Sequence, residues 1–219
     1  LIIITSSCSK KEETPAPASS QTPAPTYGGR LVASSFITYN GPLPVYSGSY
    51  TAAFYDNGAL VNAGTIKANN TTLTFASNQY SYTIPTSTPS FPCQWKGTGS
   101  SSVEAFDVTT KTFTGTNTFN PDTIFKSQAF FLSHSTITAD SIEYSITAAG
   151  NGTSVKKYAT VTTGSVTFSV SDLSALTVGA TETAEISIKA WNRENKVLGT
   201  KYYVFVNSAT FSRNAVLKN

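Results

Sequence analysis

The sequence predicts an all-β protein: two antiparallel β-sandwich-like domains behind a disordered tether. Three observations predict it. Serine and threonine are abundant, 29 and 34 of 219 residues, while charged residues make up only 12%, against about 25% in typical globular domains. Thr, with 11 Tyr and 13 Phe, fits a pleated, half-buried surface, and the Ala-Leu-Glu-Lys mixture of helices is thin. From Tyr27 onward, short runs of alternating polarity are separated by Asn, Gly and Pro turn residues. The length accommodates one large all-β domain or two sandwiches of about 90–100 residues each.

The chain opens on Leu1–Ile4, an apolar run, followed by small polar residues up to Cys8. Residues 1–8 resemble the end of a bacterial lipoprotein signal peptide with its lipobox. The resemblance implies that cleavage falls before Cys8 and that its thiol carries diacylglycerol. Two or three acyl chains, at ~0.8 kcal/mol per buried CH₂, anchor a protein without a membrane span. Thr5 stands where such boxes usually carry Leu, a relaxation common in Bacteroidota lipoproteins. The alternative is an ordinary thiol in a truncated apolar segment. Met is absent, so the chain is read as processed, or as a fragment whose upstream part would hold the charged start of the signal.

Residues 9–26 form a charged patch and a tether. Lys11-Glu12-Glu13 resembles the Bacteroidota lipoprotein export signal, which implies the outer face of the outer membrane; a plain solvated tether is the alternative. Thr14 to Thr26 is Pro, Ala, Ser and Thr with "TPAP" occurring twice. That composition cannot build a core and makes a semi-rigid spacer. At about 3.1 Å per residue it would hold the folded part roughly 40 Å from the membrane.

The first β domain is expected over 27–119. "RLVASSFITY" reads as a strand ending in the turn "NGPLP". Asp56-Asn57-Gly58 between apolar runs is a hairpin signal. Ala63 to Lys67 and Leu73 to Ala76 flank a polar "ANNTT" loop and read as the next pair. "QYSYTI" alternates strictly; "CQWKG" and "VEAFDVTTKTFTGT" close the unit. A joint of low hydrophobicity, Gly115 to Asn120, then leads to Pro121.

The second domain is expected over 120–219. Its strands read "SQAFFLS", "SIEYSITA", "KKYATVT", "SVTFSVS", "AEISIKAWN", "KYYVFVN" and "ATFSRNAVL". Gly150-Asn151-Gly152 is a turn signal. "SDLSAL", Ser171 to Leu176, opens on a cap-like Ser and reads as one helical turn. Seven strands in about 95 residues is the count of an immunoglobulin- or fibronectin-III-like sandwich. Period-2 pairs set the expected faces: Phe168 and Val170, Ile186 and Ile188, Val204 and Val206 inward, with Thr167, Ser169, Ser187 and Lys189 outward. Trp95 is expected in the first core and Trp191 near the second.

The segments "FYDNGALVNAGTIKANNTTLTF", "VTTGSVTFSVSDLSALTVGATETAEISIKAWN" and "GTKYYVFVN" resemble Bacteroidota surface lipoproteins that join a small N-terminal β domain to a β-sandwich. The resemblance implies architecture and location, through turns and core strands, and transfers no active site.

The search for chemistry returns little. His134 in "FFLSHSTI" has Ser133 and Ser135 as neighbours, but no Gly-x-Ser-x-Gly elbow exists, and it reads as a strand-end or loop residue. Asp56, Asp107, Asp122, Asp140 and Asp172 fall at turns or strand ends. Glu104, Glu143 and Glu185 alternate with apolar residues and are expected to point outward, so no catalytic pair is read. No metal-ligand spacing occurs, and no metal or cofactor is expected. Cys93 reads as a small buried hydrophobe. A net charge of +3 with scattered Lys and Arg argues against a nucleic-acid partner, and no run of 18 apolar residues suggests a spanning helix.

Several Tyr, namely Tyr46, Tyr50, Tyr80 and Tyr82, are candidates for a stacking face toward a glycan or another surface protein; packing at sandwich edges is the alternative. Thr123 after Asp122, and Ser141 after Asp140, match the Bacteroidota O-glycosylation pattern of Asp, Ser or Thr, then an apolar residue. The expected role is therefore binding or structural, in an outer-membrane lipoprotein tied to the membrane through lipid on Cys8 and displayed at the cell surface, with a periplasm-facing placement as the alternative. A fibre subunit or adhesin exchanging its last strands, Lys201 to Leu217, is the first alternative. An accessory to a polysaccharide-degrading or peptidase system is the second.

Overall fold

The computed structural model describes residues 24–39, 43–112, 123–150, 152–160, 163–176 and 181–219. Cys8, Lys11, Glu12 and Glu13 lie outside the described residues, as does the expected joint at Gly115 to Pro121. The described chain is all-β. Four long strands make its spine: β1 (Thr26–Tyr39), β2 (Pro44–Asp56), β15 (Thr181–Leu198) and β16 (Lys201–Lys218). On one side β12 (Ser141–Ala148) and β13 (Ser154–Ala159) extend the sheet. On the other side β7 (Gln79–Ile84) and β6 (Thr74–Ala76) do so, giving the order β13-β12-β15-β16-β1-β2-β7-β6. Short strands β3 (Ala59–Val61) and β10 (Thr123–Phe125) pair with β2 and β16, which makes ten strands in all.

Turn chemistry fixes the local pairings. Asp56 pairs with Ala59 across Asn57 (φ 48°) and Gly58 (φ 81°), the two consecutive positive φ angles of a tight hairpin turn. Asn69 (φ 44°) and Asn70 (φ 66°) do the same between β4 (Ile66–Ala68) and β5 (Thr71–Thr72). "ANNTT" is therefore a tight turn with strand on both sides and not a loop, and the Leu73–Ala76 stretch pairs with β7 instead. The β15–β16 hairpin closes on Gly199 (φ 60°) and Thr200, with Leu198 opposite Lys201. "KYYVFVN" and "ATFSRNAVL" thus belong to one continuous strand.

Two ladders depart from the antiparallel expectation. β1 runs parallel to β16, from Thr26 opposite Lys201 to Tyr39 opposite Arg213, and β10 runs parallel to the end of β16. No hairpin joins these strands; parallel neighbours are reached only through long connections.

Both cores lie on the same face of this sheet. Along β16, Tyr203 and Phe205 enter the first core, and Ala209, Phe211, Ala215 and Leu217 the second. β1 repeats the arrangement: Leu31 and Ala33 belong to the first core, while Ile37 and Tyr39 pack against the second. A four-stranded sheet, β5-β4-β8-β9, with β8 (Gln94–Gly97) and β9 (Phe106–Thr109), covers the first core through Ile66, Trp95 and Phe106. Trp95 is fully buried, as expected, and meets Tyr50 edge-on with ring centroids 5.9 Å apart, a geometry that aromatic quadrupoles favour. The second core is covered by β11 (Phe130–Ile137) paired with β14 (Thr163–Phe168), and by helix α1 (Val170–Ser174) through Leu173.

The expected faces hold for Phe168, Ile186 and Ile188, each fully buried. They fail at three positions. Val170 is not on a strand: it starts α1 and is exposed. The cap of that helix is Ser169, not Ser171; its hydroxyl accepts from the Asp172 amide, and its own amide donates to the Asp172 carboxylate. Val204 and Val206 point away from both cores. The alternating pattern "YYVFVN" is apolar on both faces, and the larger Tyr203 and Phe205 take the interior because they bury more area. Trp191 likewise points away from the second core, on the same side as Val206. His134 is neither at a strand end nor in a loop; it lies within β11 and is buried.

Candidate functional site

Among the described residues, the face of the ten-stranded sheet opposite the cores contributes none to either hydrophobic cluster. Most of it is hydroxyl-rich. Ser34 and Ser208 oxygens lie 3.0 Å apart across β1 and β16, and those of Thr38 and Ser212 3.2 Å. In its middle the composition changes, and a groove of about 490 Å³ opens.

Strand alternation builds this groove. Arg30, Val32 and Ser34 alternate with the core residues Leu31 and Ala33 on β1; Lys189, Trp191 and Arg193 alternate with Ala190 and Asn192 on β15. Register then sets them side by side. Ser141 is opposite Trp191, Trp191 opposite Ser208 and Ser208 opposite Ser34; Arg193 is opposite Val206 and Val206 opposite Val32. Val204 and Val206 form the floor and are only 5% and 6% exposed, because the long side chains around them stand up as walls. Their burial is therefore shelter within a groove rather than membership of a core.

Aromatic rings flank the floor. Tyr27 sits between Tyr55 and Tyr202, at 5.4 Å from each ring, and remains 41% exposed. Its hydroxyl pKa is raised, first by burial and then by Tyr55, with Arg30 opposing. Trp191 stands toward the opposite end with the Lys189 ammonium 6.0 Å from its ring centre. A second depression of about 380 Å³ shares Tyr27, Arg30 and Val32 and continues over Thr51, Ala53 and Tyr55 of β2. The two form one track across β12, β15, β16, β1 and β2, about 19 Å long at ~4.8 Å per strand.

Charge in the track is mainly positive. Arg30, Lys189 and Arg193 line it, and among the described residues no carboxylate forms an ion pair with any of them. The lining carboxylate, Glu143, is held by Lys156 at 3.1 Å. The floor strands are hydrogen-bonded on both sides, so recognition here must come from side chains: guanidinium and ammonium donors, hydroxyls and ring faces.

The four candidate tyrosines do not make this site. Tyr50 and Tyr80 are core residues, 3% and 2% exposed. The Tyr80 hydroxyl lies 2.7 Å from both Asn62 Oδ1 and the Gly64 carbonyl, and Tyr50 accepts from Asn69 at 3.1 Å. Tyr46 and Tyr82 are exposed but pair with Ile37 and Tyr50, which places them on the core side of the sheet. "QYSYTI" gave no sign of this because Tyr satisfies an interior once its hydroxyl finds a partner. Thr123 opens β10 and Ser141 opens β12, both half-exposed, with Ser141 across from Trp191 at the groove margin. The legible signal for the groove was Arg30, Trp191 and Arg193 at outward positions of strands whose inward residues are mostly apolar.

His134 is structural. Its Nδ1 lies 2.8 Å from the Ser135 carbonyl, which only a donor satisfies, so Nε2 accepts from the Tyr144 hydroxyl at 2.8 Å. Burial lowers its pKa. Cys93 is buried in the first core, with its thiol pushed up to about 12 by burial. β16, proposed above for strand exchange, is paired to β15 along its length and to β1 on its other side.

No family model matches the chain, and the comparisons with curated proteins and with solved structures found no match.

Proposed function

We propose that this chain is a lipid-anchored, extracytoplasmic binding protein whose binding surface is the open face of the ten-stranded sheet. The supporting observation is the groove itself: exposed Tyr27, with Trp191, Arg30 and Arg193, around a sheltered valine floor. Aromatic faces and unpaired guanidinium groups hold ligands, and monomeric proteins do not need them for folding. In this reading Cys8 carries the lipid, Lys11-Glu12-Glu13 directs the protein to the outer surface of the outer membrane, and the Pro-rich tether lifts the groove toward ligands. Thr123 and Ser141 are the proposed O-glycosylation positions. No catalytic role is proposed.

The test is a binding screen of the protein against arrays of polysaccharides and proteins, repeated with Trp191→Ala and Tyr27→Ala. The expected result is at least one ligand whose retention both substitutions reduce while the folded state is unchanged by circular dichroism. Ligands retained equally by the variants would overturn the assignment of the groove.

A further inference from the structure

We infer that the ligand of this groove is an extended acidic glycan, one bearing carboxylate or sulfate groups, lying across the strands. The inference rests on the binding reading above and adds the ligand's chemistry. Three cations line the track without an ion pair among the described residues; its lining carboxylate, Glu143, stands opposite Lys189 in register and is bound to Lys156. A ligand that brought no negative charge would leave the guanidinium groups of Arg30 and Arg193 without a carboxylate partner. The strand pairing also excludes the usual peptide mode. Extended peptides dock by adding to a free strand edge, and the strands under the track have none. The track offers the ring faces of Tyr27 and Trp191 for apolar sugar faces. Ser34 and Ser208 offer hydroxyls for sugar hydroxyls, and the two guanidiniums offer forks for planar or tetrahedral anions. Exposed Tyr158 on β13, opposite Glu143, continues the same face at the edge of the sheet. The open, 19 Å path, about four strand spacings long, fits a chain running through and not a capped end.

The experiment is calorimetric titration of the protein with matched oligosaccharides. Oligogalacturonate is compared with its methyl ester, and chondroitin sulfate oligosaccharides with desulfated chondroitin. An oligothymidylate and oligoglutamate serve as competing classes. The first pair isolates carboxylate and the second sulfate. We expect an acidic member to bind, with affinity that falls as salt is raised and a neutralised counterpart at least ~10-fold weaker. Arg30→Gln with Arg193→Gln should weaken acidic binding by ~10-fold or more, and Arg30→Lys with Arg193→Lys should restore part of it.

Equal binding of the neutral counterpart overturns the acidic assignment and leaves the groove as a glycan site. Binding of oligothymidylate or oligoglutamate instead, abolished by Trp191→Ala, overturns the ligand class and leaves the binding reading intact. Failure of every acidic glycan to bind overturns the inference. Acidic binding untouched by both the arginine and the Trp191 substitutions overturns the inference and the groove together.

Discussion

Phe205 and Val206 are consecutive on β16 and face opposite sides of one sheet: Phe205 fills the first core, and Val206 floors the groove between Val32 and Arg193. The functional surface and the hydrophobic core are thus the two faces of the same strands. Substitutions one residue apart should separate stability from binding.

Phe205→Ala should destabilise the fold by about 3–5 kcal/mol, the range for emptying a buried aromatic site. Val206→Ala removes two methyl groups from a site open to solvent on one side and should cost under about 2 kcal/mol. Urea unfolding of both variants measures this. A larger loss at Val206 would mean the two faces are exchanged.

The local half of this fold was readable because short-range chemistry determines it. Asp56-Asn57-Gly58 needs two positive φ angles and receives them; "SIEYSITA" alternates polar and apolar and becomes β12 without a shift. The long-range half was not readable. Nothing in "RLVASSFITY" says that it will lie parallel to residues near 210, because no turn connects them. The groove suffered the same way: its residues come from Tyr27 to Ser208, and only the sheet order brings them together. Where both faces of a strand are apolar, as at Tyr202 to Val206, periodicity gives two solutions and the larger side chains choose.

His134 should make stability depend on pH near neutrality. Burial lowers its pKa in the folded state, while the unfolded chain has the ordinary value of about 6.5. Below that value the unfolded state binds more protons, so stability is full above pH ~6.5 and falls as the pH drops toward the folded pKa. Thermal melts between pH 8 and pH 5 should show the decline, and His134→Gln should flatten it. An undiminished slope in that variant would assign the effect to another group.

Asp172 should act in the acid range. Its pKa is lowered from 3.8 to about 2, first by the hydrogen bond from Lys157, which lies at 2.8 Å, and then by the Ser169 amide and hydroxyl. A depressed carboxyl pKa contributes stability above pH 3.8 that is lost as the pH falls through about 2. Ser169→Ala, which removes the cap hydroxyl, should cost about 1 kcal/mol at neutral pH. Asp172→Asn should remove this part of the acid sensitivity, as read by melting temperature between pH 4 and pH 2; a melting curve that shifts with pH as in the parent would refute the assignment.

The two cores should unfold together. They are separate clusters, but β16 supplies Phe205 to one and Phe211 to the other, and β1 contributes to both. Losing either core therefore frees a strand on which the other depends. Ile188 is fully buried in the second core and Trp95 in the first, so a lesion at one can be read by fluorescence at the other. In a Trp191→Phe background, which leaves Trp95 as the remaining indole, Ile188→Ala should remove about 2–5 kcal/mol. It should move the Trp95 transition to lower urea by that full amount without changing its slope. Circular dichroism should report the same midpoint, as a single cooperative unit requires. A Trp95 transition that stays in place while part of the dichroism is lost early would mean that the cores fold independently, and that the shared strands join two units without coupling them.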